Sequence, residues 1–296
     1  MQRDIFHTMR QEEVHQVIRR ISVSLPRLGM ASLVVCLFSG LVLSVYYRPF
    51  GEVFRNVEEI TSLVPFGWFF RQLHFVSGQC FVMLMSAHTL EHFLKRRYRT
   101  YPWSEWSRLL LSIALCFFAL FTGFVLKGDL EGRFAGKIFM NLLGEIPFLG
   151  QSVSGFFVRP GNEFFFLPFI HHGLFVPAFL LYLTRHHIRE WFPGPRFLGV
   201  ACIGLFLYAI FVPSAPDILP GSREESIEGP WFFLGIQTLL RHLPPLWAGV
   251  VIPAGLFTAF LILPRVTSGA RSAIHGLLTG ALCAYAALTI RALLWG

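Results

Sequence analysis

Charge is scarce in this chain. Only 14% of its 296 residues are Asp, Glu, Lys or Arg, and 54% are hydrophobic, whereas soluble domains carry about 25% charged residues. That shortage excludes a disordered chain, a nucleic-acid-binding arm and an ordinary cytosolic enzyme. The opening stretch MQRDIFHTMRQEEVHQVIRR lacks the apolar core of a cleavable signal. The first apolar run is therefore expected to direct membrane insertion itself. Cysteines are few and unclustered, since Cys36, Cys80, Cys116, Cys202 and Cys283 each lie inside an apolar run, where a thiol behaves as a small buried hydrophobe. Neither a soluble domain nor an internal repeat is evident.

Long apolar runs fill the space that charge leaves. A membrane span needs roughly 20 apolar residues, and seven stretches qualify or nearly qualify: 28–47, 69–93, 107–126, 164–187, 197–213, 246–264 and 273–295. This predicts an all-α integral membrane protein with about seven transmembrane helices. The first three spans are joined by short polar loops. Segment 127–163, with Pro147 and Pro160, is too long for a tight connection and is expected to form short helices on one membrane face. A second long loop, 214–245, is rich in proline. With the N-terminus in the cytoplasm, that side collects fifteen of the 25 Lys and Arg residues against six of the 17 acids. The basic bias supports this orientation, with the C-terminus outside.

Polar residues inside spans are costly and mark function. Here they are histidines. The second span carries His74 and His88, fourteen residues apart; the fourth carries His171, His172, His186 and His187, which pair at intervals of fifteen. Fourteen helical residues turn about 1400° and rise about 21 Å; fifteen turn about 1500° and rise about 22 Å. Each helix then shows two imidazoles on roughly one face, one near each membrane surface. Two such helices side by side bracket two centres stacked across the bilayer. That separation forbids one zinc site per pair, and it suits two haems, each with axial ligands from opposite sides. Spacing alone does not choose between His171/His186 and His172/His187. No C-x-x-C-H occurs, so the haems are expected to be non-covalent b-type haems.

With these histidines in place, the sequence resembles the cytochrome b family of quinol-oxidising bc-type complexes, most closely the b6f-type branch with its three-helix subunit fused on. The first span ends SGLVLSVYYRP and the second opens GWFFRQLH; the third ends in TGF, followed by VLKGDLEG. IPFLGQSV, HGLFVP and EGPWFFLGIQTLLRHLP follow in the family's order. The resemblance implies a dihaem four-helix domain at 1–195 and a three-helix domain with a quinol-site loop at 196–296. It pairs His74 with His172 near the outer face and His88 with His187 near the cytoplasmic face, because Pro177 follows His172 by five residues. His171 and His186 are then structural neighbours. His92, one turn beyond His88, is a less favoured substitute ligand. Arg71 would meet a haem propionate, and Gly40 and Gly123 would let two helices approach the outer haem. The quinol site would include Pro230, Trp231, Phe232 and Lys137.

The sequence also departs from that pattern. Fourteen residues before the two glycines stand Pro26 and Leu109, which leaves the inner haem without matching gaps. Ser32 stands where a further covalent haem would need cysteine, so none is expected. The tetrapeptide Gly229-Pro230-Trp231-Phe232 has no carboxylate where relatives carry a glutamate read as the proton acceptor from quinol. Glu228 is the candidate replacement, with Asp129 and His242 further off. The resemblance implies a Rieske-type iron–sulfur protein and/or a c-type cytochrome as partners, a dimeric complex, quinol as substrate, and a bacterial-type cytoplasmic membrane. Two rivals stand beside it: a non-bifurcating dihaem conduit to a periplasmic multihaem cytochrome, and a transporter with a histidine proton relay.

Overall fold

The computed structural model describes the backbone of all residues except Met1, Ala215, 223–226, Glu228 and Gly296, and side chains from Ser22 to Leu294 outside those positions. Its described residues form twelve α-helices and a few 3₁₀ and π turns, with no strand among them. The first expected span belongs to a longer helix, α1 (Gln2–Tyr46), which runs through Pro26. A short polar loop was expected next, but the chain forms a helix, α2 (Val53–Ser62). The reason is local: Val53, Phe54, Val57 and Ile60 fall on one face and are buried.

The second and third expected spans are α3 (Gly67–Leu94) and α4 (Trp103–Val125). Segment 127–163 contains α5 (Leu130–Gly144), capped by the Asp129 carboxylate accepting from the Gly132 N–H at 2.8 Å, and α6 (Gly150–Phe157). The fourth span is α7 (Phe166–Ile170), a π turn over His171–Phe175, and α8 (Val176–Trp191). Then follow α9 (Pro195–Phe211), α10 (Leu234–Leu240), a second π turn over Trp247–Val251, α11 (Ile252–Ile262) and α12 (Ser268–Trp295).

Both π turns have one cause. Pro177 and Pro253 each lie two residues past the turn's end, and neither has an N–H to give to the carbonyl four residues back. The chain widens instead, with Val176 N–H reaching His171 O and Ile252 N–H reaching Trp247 O.

Segments Ser22–Tyr46, Trp103–Val125, Gly161–Trp191 and Ser268–Leu294 are long and apolar enough to cross a membrane, and Pro195–Phe211 and Trp247–Ile262 are shorter apolar helices. α3 has the length but is interrupted by Arg71, Gln79, Glu91 and three histidines. The chain is a transmembrane helical bundle. Helices α1, α3, α4 and α8 pack in a ring, each against two others. Within it, Met30, Leu33, Phe81, Val82, Cys116 and Leu180 form one core cluster. α9 lies on the α1/α3 side through Leu205 and Ala209. α11 and α12 meet α4 through Leu263, Leu278 and Trp106.

At one end of the bundle, the turn between α4 and α5 gathers charge. Lys127 Nζ lies 2.6 Å from the fully buried Asp129 and 3.4 Å from both Glu131 and Asp217. Asp217 also pairs with Arg71, and Leu130 N–H bonds Ile218 O at 2.9 Å, tying the long loop to this corner. Burial opposes the Lys127 charge, but Asp129, Asp217 and Glu131 outweigh it and hold the ammonium above its ordinary value of 10.5. Burial pushes the Glu131 carboxyl up, with Asp129 adding to the shift and Lys127 opposing it. Breaking such a pair from one side strands the buried partner, at a cost of about 3 kcal/mol. Lys127→Met should lower the thermal midpoint in detergent accordingly at pH 7. Because the lysine value is raised on folding, the stabilisation is present below pH 10.5 and fades as pH rises through the folded value. The wild-type advantage should therefore shrink above that pH; equal midpoints at pH 7 would show that the cluster contributes nothing.

Candidate functional site

The ring of four helices places histidines opposite one another at two depths. His74 on α3 faces His172 on the π turn, with ring centroids 5.8 Å apart; His88 faces His187 on α8 at 6.3 Å. The π turn corrects the angular expectation for the second helix. It takes up an extra residue between His172 and His187, so their interval winds nearly as fourteen regular residues do. The overshoot of about 60° expected for fifteen gives way to the same phase as His74 and His88.

The outer rings sit in two closely similar slots. His74 Nδ1 lies 2.9 Å from Cys36 O and 3.4 Å from Ser39 Oγ, while a Cβ on Gly40 would come within 2.7 Å of His74 Cε1. On the other side, His172 Nδ1 lies 3.0 Å from Ala119 O and 3.2 Å from Thr122 Oγ1, and a Cβ on Gly123 would meet His172 Cε1 at 2.8 Å. A carbonyl accepts only from a protonated nitrogen, so each Nδ1 carries the hydrogen and each Nε2 keeps a lone pair. The slots come from Cys36-Leu-Phe-Ser-Gly40 and Ala119-Leu-Phe-Thr-Gly123. This repeated pentapeptide was a readable signal that the sequence reading missed.

The inner pair is built otherwise. His88 is 7% exposed, and neither of its ring nitrogens has a hydrogen-bond partner. Its neighbour His92 bonds His88 O through Nδ1 at 3.0 Å, and its ring centroid is 4.3 Å from that of His88. The donor atoms of His88, Glu91 and His92 all lie within 4.8 Å of one another, although Glu91 is also engaged by Lys95 and Ser22. His187 is exposed. Pro26 is buried within α1, and Leu109 packs with the Phe93–Trp106 cluster.

His171 points elsewhere. It is buried, donates from Nδ1 to Leu167 O at 2.7 Å, and is ringed by Phe118, Phe156, Phe157 and Phe175. His186 is exposed. Arg71, expected beside a propionate, bonds Thr61 Oγ1 at 3.1 Å and pairs with Asp217. In the loop before α10, Phe232 is buried against Val125 and Leu126, and the Trp231 ring meets Phe117 at 6.4 Å. Lys137 is exposed on α5, its ammonium 5.6 Å from the Phe134 ring centre. Glu228 lies outside the described residues.

A membrane bundle with facing histidine pairs at two depths is the class of protein that this arrangement defines. Comparison with known proteins narrows it: the family model Cytochrome b/b6/petB matches residues 14–189, more than half of the chain. The chain belongs to the cytochrome b family, whose members bind haem and serve in oxidoreductase complexes. It is 25% identical to cytochrome b of Venturia inaequalis over 273 residues, spanning 80% of this chain and 70% of that one. Identity to the Yarrowia lipolytica cytochrome b is 27% over 281 residues, or 82% and 72% of the two chains. A Bradyrhizobium diazoefficiens cytochrome b/c1 is 26% identical over 265 residues, covering 77% of this chain and 38% of that longer protein. Among solved structures, a chain of a hyperthermophilic respiratory Complex III shares the fold, with a TM-score of 0.66, 20% identity, and coverage of 90% of this chain and 82% of that one.

The glycine slots generate a direct test. Gly123→Ala forces a Cβ against His172 at 2.8 Å, an overpacking that costs about 1–3 kcal/mol. Gly155→Ala, with nothing within 4 Å of the added carbon, should cost nothing. Equal thermal midpoints for the two variants would show that the slot is not tight.

Proposed function

We propose that the chain is the dihaem cytochrome b subunit of a bc-type quinol:acceptor oxidoreductase, carrying electrons across the membrane between quinone sites. The observation that supports this best is the pair of histidine couples, His74 with His172 and His88 with His187, facing each other at two depths. The donor set fits two non-covalent b-type haems. The outer imidazoles come from different helices with Nδ1 tied to backbone carbonyls, and glycine leaves space beside each ring. At the inner couple, His88 is buried with both nitrogens unbonded. When bound, each haem supplies a one-electron redox centre.

The chain's own residues then have defined tasks. The carbonyls of Cys36 and Ala119 hold the proton on Nδ1 and fix ring orientation, the role that outer-shell acceptors play for metal-binding histidines. Arg71 is the proposed partner of an outer-haem propionate, a task suited to a guanidinium; Asp217 competes for it. Quinol is proposed to bind between α5 and the 229–233 loop, with Pro230, Trp231, Phe232 and Lys137. Glu228 is the proposed proton acceptor on its place in the chain. In this reading the N-terminus lies in the cytoplasm of a bacterial-type cell, 1–195 is the dihaem domain, and 196–296 completes the quinol site. A Rieske-type iron–sulfur protein or a c-type cytochrome would be the acceptor within a dimeric complex. The Complex III and cytochrome b/c1 relatives support that company.

The purified chain should contain two acid-acetone-extractable haems by pyridine-haemochrome assay. His172→Ala should remove the outer haem and His187→Ala the inner one, while His171→Ala and His186→Ala keep both. Loss of haem in His171→Ala with retention in His172→Ala would overturn the ligand set. Glu228→Gln should slow quinol-driven haem reduction at least about tenfold, the lower range for a lost general base, with spectra intact. An unchanged rate across pH 6–8 would remove Glu228 from the mechanism. The carboxylate-free tetrapeptide favours one alternative, a non-bifurcating conduit. Under that alternative, quinol reduces the haems fully without an iron–sulfur partner.

A further inference from the structure

The 229–232 tetrapeptide carries no charged side chain, yet its backbone and indole are tied to three separate helices. Gln237 on α10 grips one end with both amide atoms: Oε1 accepts from Gly229 N–H at 2.8 Å, and Nε2 donates to Ile227 O at 2.9 Å. Gly229 leaves little spare room, since a Cβ there would lie 3.1 Å from Gln237 Oε1. At the other end, Tyr285 on α12 donates its hydroxyl to Phe232 O at 2.7 Å. Gly235 makes that approach possible, because a Cβ at this position would fall 2.4 Å from the Tyr285 ring. The third tie runs from Trp231 Nε1–H to Gln79 Oε1 on α3 at 2.8 Å, five residues along from His74. Inside the loop, Phe233 N–H bonds Pro230 O at 2.7 Å and closes a turn.

We propose that Gln237 is a positioning residue for quinol oxidation, with Tyr285 and Gln79 completing a three-helix clamp on the tetrapeptide. The inference rests on the quinol-oxidising reading and deepens it. A tetrapeptide without a charged side chain of its own must meet the quinol ring by shape, through Trp231, Phe232 and the backbone between them, whichever neighbouring group takes the proton. Shape recognition demands a fixed backbone, because a loop that must be ordered as the ligand binds loses affinity to the entropy of that ordering. Gln237 suits the task because an amide is both donor and acceptor, so one side chain satisfies a backbone N–H and a backbone C=O. It touches no reacting atom.

The test uses the complete membrane complex, with short-chain naphthoquinol and benzoquinol as separate probes and haem reduction as the readout. Gln237→Leu should raise KM for quinol about tenfold and change kcat less than twofold, with haem content and the dithionite-reduced spectrum unchanged. Gln237→Glu, which keeps the acceptor for Gly229 N–H, should raise KM by a smaller factor. Tyr285→Phe, which deletes one hydroxyl, should raise KM about threefold and decides the matter if Gln237→Leu loses haem. The clamp is overturned if KM is unchanged in both Gln237→Leu and Tyr285→Phe while the wild-type complex oxidises quinol. If the wild-type complex oxidises neither quinol, the quinol-oxidising reading itself falls, and the clamp with it.

Discussion

The geometry of the His74–His172 pair depends on one contact: an imidazole pressed against a helix where a glycine has removed the Cβ, donating its Nδ1 hydrogen to the carbonyl four residues earlier. Gly40 opens Cys36 O to His74, and Gly123 opens Ala119 O to His172. In an α-helix, residues i and i+4 lie on one face, so the gap and the exposed carbonyl necessarily coincide. The carbonyl already serves its own helix and accepts the imidazole with its second lone pair. An orphaned N–H in hydrocarbon would cost several kcal/mol. Helix spacing, ring orientation and the free lone pair on Nε2 are thus set together.

The second device that positions the site is proline. Pro177 widens the helix just after His172, and the widened turn brings a fifteen-residue interval into phase with the fourteen-residue interval on α3. Without it, the inner and outer rings of that helix would be offset by about 60°, the overshoot of fifteen regular residues. The same rule operates at Pro253, where the π turn precedes α11 and no histidine is involved. The widening is therefore a backbone response to the missing N–H, and the histidine spacing exploits it.

Much of this was legible in the sequence, for reasons that differ by element. The apolar runs were readable because a span must satisfy every backbone group internally, which forces long uninterrupted segments. The histidine pairs were readable because charge and polarity are so scarce there. α2 was not, since ten residues of which six are polar or charged resemble a loop until the buried face is known. Family membership follows from the match over 14–189, whereas the motif order alone implied it. The choice of Asp217 as partner for Arg71 joins residues 146 positions apart, and no periodicity encodes such a pairing. The clamp by Gln237 was missed for a different reason: a glutamine in an apolar stretch announces polarity, but not which backbone groups it will satisfy.

The two histidine couples differ in what holds them. The outer rings are fixed by the protein itself, through a carbonyl and a nearby hydroxyl on each side. His88 has neither nitrogen bonded although it is nine-tenths buried, and its nearest carboxylate, Glu91, stands 3.9 Å away with Lys95 as its own partner. Leaving a buried polar group unsatisfied costs about 1–3 kcal/mol. Helix packing therefore supplies partners for both outer rings and leaves both nitrogens of His88 without one. Pro26 and Leu109 stand fourteen residues before Gly40 and Gly123, so the glycine gap of the outer pair is not repeated at the inner depth.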